Sequence, residues 1–384
     1  MNRAGGYIAV PQMGYKAFVP AKLPPKPELT IDEEMATLLG EANRELGKLD
    51  MLSTKIPDIN LFLSSYVRKE ALMSSQIEGT QTSLVDILDP DIDTNKNADV
   101  EEVVNYTKAL NYAWARMDEY QLCNSLLKET HKILLQGVRG TEKQPGEFRL
   151  SQNWIGSAGL GLKDAKYIPP TVENMIESMS DLEKFINGDE AIDLLIKNAL
   201  AHYQFETIHP FLDGNGRLGR MLIVLYMKKQ QLITHPVIYI SYYLKKHRVE
   251  YYDRLGEVRQ KGNYEQWVKF FLRAVIATCK DSIKTIEQLS ELRAKNIARL
   301  PRTKIAKMLF GYIERNPIID IQRTAKELGA SYNGIKKTVA GFEAIEILQE
   351  KTSAKRNKVY YYNEYLEILK RDTDNFLTHT GVPQ

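Results

Sequence analysis

The spacing of apolar residues limits the fold of this 384-residue chain more than any other feature. From Asp32 onward, apolar residues recur every three or four positions, as on one face of an amphipathic helix. A second helix is expected to begin near Pro57 and to end at Gly79, which permits a left-handed stop. The same periodicity predicts further helices at 97–120, 125–135, 172–187, 191–207, 217–231, 249–260 and 264–289. The middle of the chain is therefore predicted to be nearly all α.

The two ends of the chain differ from this helical middle. Closely spaced prolines at 20–27 exclude an α-helix, so the first residues are predicted to form an extended arm. After Arg302 the pattern predicts a helix to about Asn316, short helices at 321–328 and 332–342, and hairpin strands at 345–351 and 358–362. Three helices followed by a hairpin with a basic tip predict a winged helix-turn-helix.

Length and composition indicate the class of protein. At this length two or three packed units are expected, and the pattern places them at 1–100, 101–295 and 296–384. Hydrophobic residues make up 43% and charged residues 26%, which is typical of a protein that folds in water. The first twenty residues lack a secretion signal, and no apolar run is long enough to span a bilayer. A cytoplasmic protein without a membrane partner is therefore expected.

Charge and cysteine content argue against several kinds of site. The formal net charge is +3, so no overall basic field drives the chain onto nucleic acid, although a local basic patch remains open. Cys123 and Cys279 lie far apart in sequence and outside any CxxC or Cys/His cluster. This argues against a disulfide framework or a structural zinc site.

A glycine-rich loop with the sequence HPFLDGNGRLGR lies at 209–220, between two strongly apolar helices. Gly214 and Gly216, on either side of Asn215, allow the backbone to turn its N–H groups inward where the next helix begins. The positive end of that helix dipole strengthens the attraction for an anion. The loop is therefore a predicted anion site.

Charged side chains of the same loop indicate which anion it binds. Arg217, in a first helical turn, is unfavourable for the helix dipole unless it has an anionic ligand. Arg220 shares its face, so the two guanidinium groups can hold one polyphosphate. Asp213 would repel phosphate by itself but is useful if it holds a bridging Mg²⁺, and a neutral His209 can accept a proton from an attacking hydroxyl. Any one residue alone fits an ordinary helix connection better; the complete string favours nucleotide phosphate chemistry.

The string at 209–220 resembles the signature of the Fic family, HPFx[D/E]GNGRxxR, at every defining position. The resemblance continues through the N-terminal arm, the helix that ends in Glu78-Gly79, the GEFR and YIPP segments, and the terminal unit, and it points to multi-domain bacterial protein adenylyltransferases. It implies a mainly α fold: an inhibitory helix region within 1–100, a helical Fic domain with a short β-hairpin flap at 101–295, and the winged helix-turn-helix at 296–384.

The same resemblance implies an activity and a set of roles. AMP would move from ATP, with Mg²⁺, to a Ser, Thr or Tyr hydroxyl of a target protein or of the chain itself. His209 would be the general base and Asp213 the Mg²⁺ ligand. The motif residues implied to bind ATP are Gly214, Asn215, Gly216, Arg217, Leu218, Gly219 and Arg220. Gly214 to Gly216 would form the anion hole, and Arg217 and Arg220 would hold the β- and γ-phosphates. Asn215 would orient the α-phosphate. Glycine at 216 favours AMP transfer, because the kinase-like branch of the family carries lysine there.

A second motif, SSQIEG at 74–79, places Glu78 at the end of a helix. The helix dipole disfavours a carboxylate there by roughly 0.3–1 kcal/mol, which suggests a nearby cation. The string resembles the inhibitory pattern [S/T]xxxE[G/N] of class II Fic members, which implies that Ser74, Glu78 and Gly79 form a brake in which Glu78 pairs with Arg220. The plain alternative is a surface glutamate before a glycine helix stop.

Three further interpretations concern partners of the helical domain. The segment 154–170 resembles the family flap, which pairs with the main chain of a target protein. Tyr243, Lys246 and Tyr251 are candidates for contacts with adenine, although an aromatic helical face is more often part of a core. A homodimer is expected from the resemblance alone.

The predicted winged helix carries basic residues that suit phosphate contacts. They are Lys336, Lys337, Lys351, Lys355, Arg356 and Lys358. A solvated basic face or a protein-docking module explains them equally well, so nucleic-acid binding stays open. The alternatives to AMP transfer are a DNA-binding regulator whose Fic unit senses nucleotide, and a de-AMPylase or kinase-type Fic enzyme.

Overall fold

The computed structural model describes residues 2–11, 14–56, 59–89, 97–156, 161–351 and 358–371, apart from the side chains of 60–62. It is mainly helical, as the apolar spacing predicts. In chain order the helices are α1 (Glu33–Lys55), α2 (Ile59–Ile77), α3 (Leu84–Leu88), α4 (Ala98–Arg116), α5 (Asn124–Leu134), α6 (Val172–Asn187), α7 (Leu194–Ile208), α8 (Asn215–Lys229), α9 (Ser241–Lys246), α10 (Arg248–Lys261), α11 (Tyr264–Ile297), α12 (Lys304–Arg315), α13 (Ile321–Glu327), α14 (Tyr332–Ala344) and α15 (Asn363–Lys370). The strands are β1 (Gly5–Val10), β2 (Tyr15–Pro20), β3 (Ile318–Asp320), β4 (Gln349–Glu350) and β5 (Val359–Tyr361).

Helices α7 and α8 form the most deeply buried part of the core. All of α7 from Leu195 to Ile208 is buried, and α8 is buried on nearly every side. A helix enclosed on all sides has no solvent-facing polar side, so the polar side chains Asn198 and His202 of α7 are buried and bond to the main chain of α8. Because both helices are fixed by packing, the loop that joins them is held at both ends.

The N-terminal segment forms a β-hairpin, where the sequence predicted only an extended arm. Strands β1 and β2 pair antiparallel, from Gly5 opposite Pro20 to Val10 opposite Tyr15. The amide of Phe18 also donates to the carbonyl of Ile168 at 3.0 Å, which joins the hairpin to the predicted flap segment. The prolines at 20–27 do exclude a helix, but they carry no information about strand pairing upstream.

The flap segment is less regular than the hairpin that the sequence predicts. Ile155 and Tyr167 form an antiparallel bridge with N···O distances of 2.8 and 3.1 Å. A short 3₁₀ turn at Leu162–Asp164 lies between these two residues. Residues 157–160 of the predicted flap lie outside the described residues.

The last part of the chain has the order α12, β3, α13, α14, β4, β5. Its three strands form an antiparallel sheet in the order β3-β5-β4, and β3 was absent from the sequence prediction. Helix α11 extends eight residues beyond its predicted end at 289, because Leu292 and Asn296 are buried against this unit. The Asn296 side chain donates to the Tyr362 hydroxyl at 2.7 Å.

Among the residues that the structure describes, no helix is both long and apolar enough to cross a membrane.

Candidate active site

The loop at 209–214 begins and ends with left-handed backbone. Helix α7 ends at Ile208, and His209 follows with φ 51° and ψ 60°. Gly214 has φ 76° and precedes α8, which begins at Asn215, two residues before the predicted Arg217. Since φ above zero is costly for a residue with a Cβ, the conformation of His209 must be held by its surroundings. Helix α7 thus ends one residue beyond its predicted end at 207.

Side chains from a neighbouring segment hold this loop by its carbonyl oxygens. Arg149 donates through Nε to the carbonyl of His209 at 3.1 Å, and its amide donates to that of Pro210 at 2.9 Å. Asn153 donates to the carbonyls of His209 and Phe211 at 3.0 and 2.8 Å. These bonds stabilise the strained backbone and fix the direction of the His209 side chain.

Asn215 closes the loop on itself. Its side-chain oxygen accepts from the amide of Phe211 at 2.8 Å, and its side-chain nitrogen donates to the Phe211 carbonyl at the same distance. The side chain is 2% exposed. In this conformation Asn215 therefore shapes the loop, and the role toward an α-phosphate that the resemblance implies stays a prediction.

The N-terminus of α8 has no side-chain cap, since Gly214 precedes it. The first amides of a helix lack partners within it and therefore attract anions. Acidic side chains lie against this helix start: the Gly214 amide donates to Asp213 Oδ1 at 2.6 Å, and Glu78 Oε1 lies against Gly216. The binding of a phosphate at this place stays a prediction.

His131, on α5, contacts the loop through Asp213 and Phe211. The sequence analysis did not identify this residue. Its Nδ1 accepts from the Gly146 amide at 2.9 Å, so the proton lies on Nε2, which donates to the Asp213 carbonyl at 2.9 Å. The ring stacks on Phe211 with centroids 3.8 Å apart. Burial lowers the pKa of His131 to about 4, which keeps the ring in the neutral form that these bonds require.

We expect His131→Ala to destabilise the protein and to reduce any activity of the loop. It would leave a buried donor and a buried acceptor without partners and open a cavity, which costs about 2–4 kcal/mol. A displaced Asp213 and Gly214 would lower turnover by about 10- to 100-fold, since small misplacements of a reactive site have effects of that size. Urea unfolding and turnover measure the two effects. The matched control is Leu127→Ala, buried on the same helix. If both variants lose equal turnover while folded, the positioning role is wrong.

Arg217 is buried without good hydrogen bonds. Its side chain is 1% exposed, and its Nη1 and Nη2 lie 3.5 Å from Glu102 Oε2 and Asp213 Oδ1 respectively. Within the described part of the chain, its Nε and Nη1 have no hydrogen-bond partner. An unsatisfied buried guanidinium is costly unless something binds it, so Arg217 is suited to an anionic ligand.

Arg220 is fully partnered by the segment that contains the second motif. It donates through Nε to Ser74 Oγ at 2.9 Å and through Nη2 to the Ser74 carbonyl at 2.8 Å. Nη2 also lies 2.8 Å from Oε1 of Glu78. Burial alone lowers the pKa of Arg220, but the Glu78 charge and other nearby groups raise it above its usual range. The guanidinium is therefore charged and occupied.

The carboxylate of Glu78 lies directly against Gly216. A Cβ on Gly216 would be 2.3 Å from Glu78 Oε1. The glycine therefore permits the carboxylate to reach Arg220 across the start of α8. The side chain of Glu78 keeps 32% exposure, so it can leave this position without unpacking a core.

Basic residues of α9 and α10 hold the end of α2. Arg248 donates to the carbonyl of Ile77 at 3.0 Å, and Lys245 donates to Gln76 Oε1 at 2.6 Å. With Arg220 on the Ser74 carbonyl, these cations complement the negative pole of the helix. They explain why a glutamate is tolerated at this helix end.

Asp213 and His209 occupy the mouth of the site. The Asp213 side chain is 23% exposed, with Lys143 Nζ 3.5 Å from its Oδ2. Burial lowers the pKa of His209 to about 4, partly opposed by the backbone of Glu206 and the charge of Glu78. At neutral pH the imidazole is uncharged and can accept a proton.

Glu206 is a second buried residue that the sequence analysis missed. It lies one turn before His209 on α7, and burial raises its pKa to about 7, against the opposing charge of Arg220. A Cβ on Gly219 would be 2.1 Å from its Oε1. Gly219 therefore makes room for this carboxyl, while Leu218 is buried in the hydrophobic core. No simple sequence pattern marks Glu206 or His131, because both act through packing between distant segments.

The three candidates for adenine contacts are not brought together on one surface. Tyr251 is fully buried, and its hydroxyl lies 2.9 Å from Nε2 of His202. Tyr243 is partly buried beside His247, at 4.2 Å between ring centroids. Lys246 lines a surface cleft with Lys245 and Arg248. The adenine assignment stays a prediction.

Comparison with known families places two domains on the chain. The model described as "Fic/DOC family N-terminal" matches residues 36–115, and the model described as "Fic/DOC family" matches residues 121–227. The second match contains the whole loop at 209–220, and the first contains Ser74 and Glu78.

Curated relatives carry the same family name. Protein adenylyltransferase Fic of Aedes aegypti is 29% identical over 249 residues, which is 61% of this chain and 45% of that protein. Its namesake from Culex quinquefasciatus is 30% identical over 176 residues, or 45% of this chain and 30% of that protein. The chain thus spans less than half the length of these curated relatives.

A solved structure shows the fold over most of the chain. A Fic family protein from Desulfovibrio desulfuricans G20 superposes with a TM-score of 0.56 at 18% identity, covering 87% of this chain and 97% of that one. The similarity at this identity concerns the mainly helical fold with small antiparallel sheets. The two domain matches show that this chain contains a Fic/DOC N-terminal domain at 36–115 and a Fic/DOC domain at 121–227.

Proposed function

We propose that this protein moves AMP from ATP to a Ser, Thr or Tyr hydroxyl of a protein. The observation that carries the proposal is the segment 209–217, where a neutral imidazole, the uncapped start of α8 and a buried Arg217 with unsatisfied donors lie together. Relatives named protein adenylyltransferase support the reaction class. The chain covers only part of those relatives, so its activity and targets are assigned here as a proposal.

His209 serves as the general base in this proposal. The target hydroxyl gives its proton to the imidazole as its oxygen attacks the α-phosphorus. The bond between the α-phosphorus and the oxygen that bridges to the β-phosphate breaks, and pyrophosphate leaves. Because the chemistry of such transfers is mainly positioning and charge stabilisation, the rigid loop is the main contribution of the protein.

The phosphates of ATP are placed at the start of α8. The backbone N–H groups of Gly214 to Gly216 would receive them, with Arg217 and Arg220 as the flanking cations. Arg217 has unsatisfied donors ready for this role. Arg220 becomes available only when it exchanges Glu78 for a phosphate.

Asp213 fits the proposed Mg²⁺ site. Magnesium in nucleotide sites is usually held by one or two carboxylates together with substrate phosphates, and the described residues contain no cluster of three or more His, Cys, Asp or Glu that would form a separate metal cage. A partly exposed carboxylate beside the anion site matches this donor set. The ion would neutralise phosphate charge when bound.

Glu78 acts as a brake in the proposed enzyme. Its carboxylate occupies Arg220 and covers Gly216, where the end of the triphosphate would lie. Ser74 holds the same guanidinium through its hydroxyl and carbonyl. ATP must therefore displace Glu78 before it can take the productive position.

Several partners remain part of this proposal. The topology α12-β3-α13-α14-β4-β5 supports a winged helix-turn-helix for the terminal unit. The segment around Ile155 and Tyr167 is proposed to pair with the main chain of the target. A homodimer, a cytoplasmic location and the boundaries at 100/101 and 295/296 stay predictions.

Labelled ATP separates AMP transfer from the alternatives. Glu78→Gly protein is incubated with a cell lysate and ATP labelled on either the α- or the γ-phosphorus, with His209→Ala as control. We expect protein labelling from the α-position alone. Labelling from the γ-position alone would indicate a kinase, and labelling from neither would leave the nucleotide-sensing regulator or the de-AMPylase.

The pH dependence of transfer tests the state of His209. A base works in its neutral form, so its rate falls as pH drops through its pKa. Since burial lowers the pKa of His209 to about 4, we expect kcat/KM of Glu78→Gly protein to stay flat between about pH 8 and about pH 5.5. Glu78 raises this pKa, so its removal does not shift the profile toward neutral pH. A half-maximal rate near pH 6.5, the value of an exposed histidine, would contradict this environment.

A further inference from the structure

The positive charge of this chain is concentrated in its terminal unit. Residues 301 to 371 contain 14 Lys and Arg against 8 Asp and Glu, a formal charge of +6, whereas the whole chain carries +3. The rest of the protein is therefore slightly acidic. A basic domain on an otherwise acidic protein is the charge distribution of a nucleic-acid binding module.

One face of α14 is basic, polar and uncovered. The buried residues of this helix are Ile335, Val339 and Phe342, which pack into the unit against α12 and α13. The opposite face carries Tyr332, Asn333, Lys336, Lys337 and Ala340, all exposed. These positions recur at helical spacing and form a single stripe.

Acidic residues of the unit do not neutralise this stripe. Glu327 pairs with Arg323 at 2.7 Å, and Glu314 is buried with Arg293 2.7 Å away. Within the described part of the chain, Lys336 and Lys337 have no carboxylate within ion-pair distance. Both ammonium groups are free to bind an external anion.

Two more lysines lie at the ends of the β4 and β5 strands. Lys351 follows β4 and lies over the ring of Tyr361 at 5.1 Å, while Lys358 precedes β5 and pairs with Glu350 at 2.7 Å. The chain between them, 352–357, includes Lys355 and Arg356 and lies outside the described residues. Lys336 and Lys337 on α14 and Lys351 after β4 are therefore the described lysines on which the proposal rests.

We propose that α14 binds in the major groove of duplex DNA and that the β4-β5 hairpin contacts the adjoining phosphates. An α-helix fits the width of that groove, and the second helix of a helix-turn-helix is the one that enters it. Asn333 and Lys336 are of the types that read adenine and guanine edges, whereas Lys337 and Lys351 suit phosphates. This activity is separate from AMP transfer and does not depend on the loop at 209–220.

Fluorescence anisotropy of the full-length protein tests the assignment, with a labelled DNA duplex of about 30 base pairs at salt from about 50 to about 200 mM. We expect Lys336→Ala/Lys337→Ala to weaken binding about 10- to 100-fold near 0.1 M salt, and to make the slope of log K against log salt shallower by about 1, since Lys337 is the phosphate contact of the pair. The control is Lys55→Ala/Lys108→Ala, which removes the same charge from exposed positions outside the unit. Thermal melting confirms that both variants are folded.

The outcomes are distinct. Loss of affinity in the α14 variant alone supports the proposal. Absence of binding at the lowest salt, an equal loss in the control variant, or tighter binding of an RNA of the same sequence would overturn it. None of these results depends on whether the protein transfers AMP.

Discussion

Glu78→Gly protein should transfer AMP about 10- to 100-fold faster than the wild type. The expected gain follows from the charge-assisted hydrogen bond between Glu78 and Arg220, at 2.8 Å in a buried site. Bonds of that kind contribute about 1.5–3 kcal/mol, which corresponds to that range of rate. The substitution also uncovers Gly216 and leaves Ser74 to hold Arg220 in place. Incorporation of α-labelled AMP at fixed ATP concentration measures the effect.

A matched glutamate separates the brake from a general effect of glycine. Glu119 lies just after α4 in a similar helix-end position, is largely exposed and pairs only weakly with Arg116 at 3.5 Å. Glu119→Gly should leave the rate unchanged. The brake would be rejected if Glu78→Gly gave no gain, or if both variants gave the same gain.

His209→Ala, made in the Glu78→Gly background, should lower AMP transfer by about 10²- to 10⁴-fold. That range is typical for the loss of a positioned general base. The main-chain bonds from Arg149 and Asn153 go to the carbonyl of His209 and not to its ring, so the loop should keep its conformation. ATP binding measured by calorimetry should therefore change little.

Two further measurements make this result specific. His235→Ala, which removes a half-buried histidine outside the loop, should leave transfer unchanged. If His209→Ala retained more than about a tenth of the transfer rate, His209 would not be the base. If it abolished ATP binding instead, its role would be structural.

The sequence was most informative where a local pattern carries the structure. Helix α6 has the predicted bounds, α10 extends one residue beyond its prediction at each end, and α13 ends one residue early, because each is defined by its own apolar face. The loop at 209–220 could be interpreted in the same way. Gly214 is needed for positive φ, which is a local reason, whereas the close approach at Gly216 is made by Glu78 of a distant segment.

Contacts between segments that lie far apart in the chain could not be predicted from the sequence pattern. His131 stabilises Asp213 from 82 positions away, and Ser74 binds Arg220 from 146 positions away. The β1-β2 hairpin was missed because the prediction for this segment rested on the prolines at 20–27, which carry no signal for strand pairing upstream. Tyr251 was assigned to adenine from its residue type; the structure places its hydroxyl 2.9 Å from His202 Nε2, and the assignment stays a prediction.

Helix α2 lies between the proposed brake and the basic terminal unit, and contacts both. Its C-terminal end carries Ser74 and precedes Glu78, and its body packs against α12 of the terminal unit. The Tyr66 hydroxyl on the same helix donates to the carbonyl of Ser282 at 3.3 Å. The brake and the basic unit therefore share one structural element.

A crystal structure of Glu78→Gly protein with Mg²⁺ and a non-hydrolysable ATP analogue tests the central claim most directly. The account predicts that the triphosphate lies against the amides of Gly214 to Gly216 and the guanidinium groups of Arg217 and Arg220, with the α-phosphorus facing the His209 imidazole. A nucleotide bound at any other place, or one whose γ-phosphorus takes the position facing His209, would contradict the proposed AMP transfer.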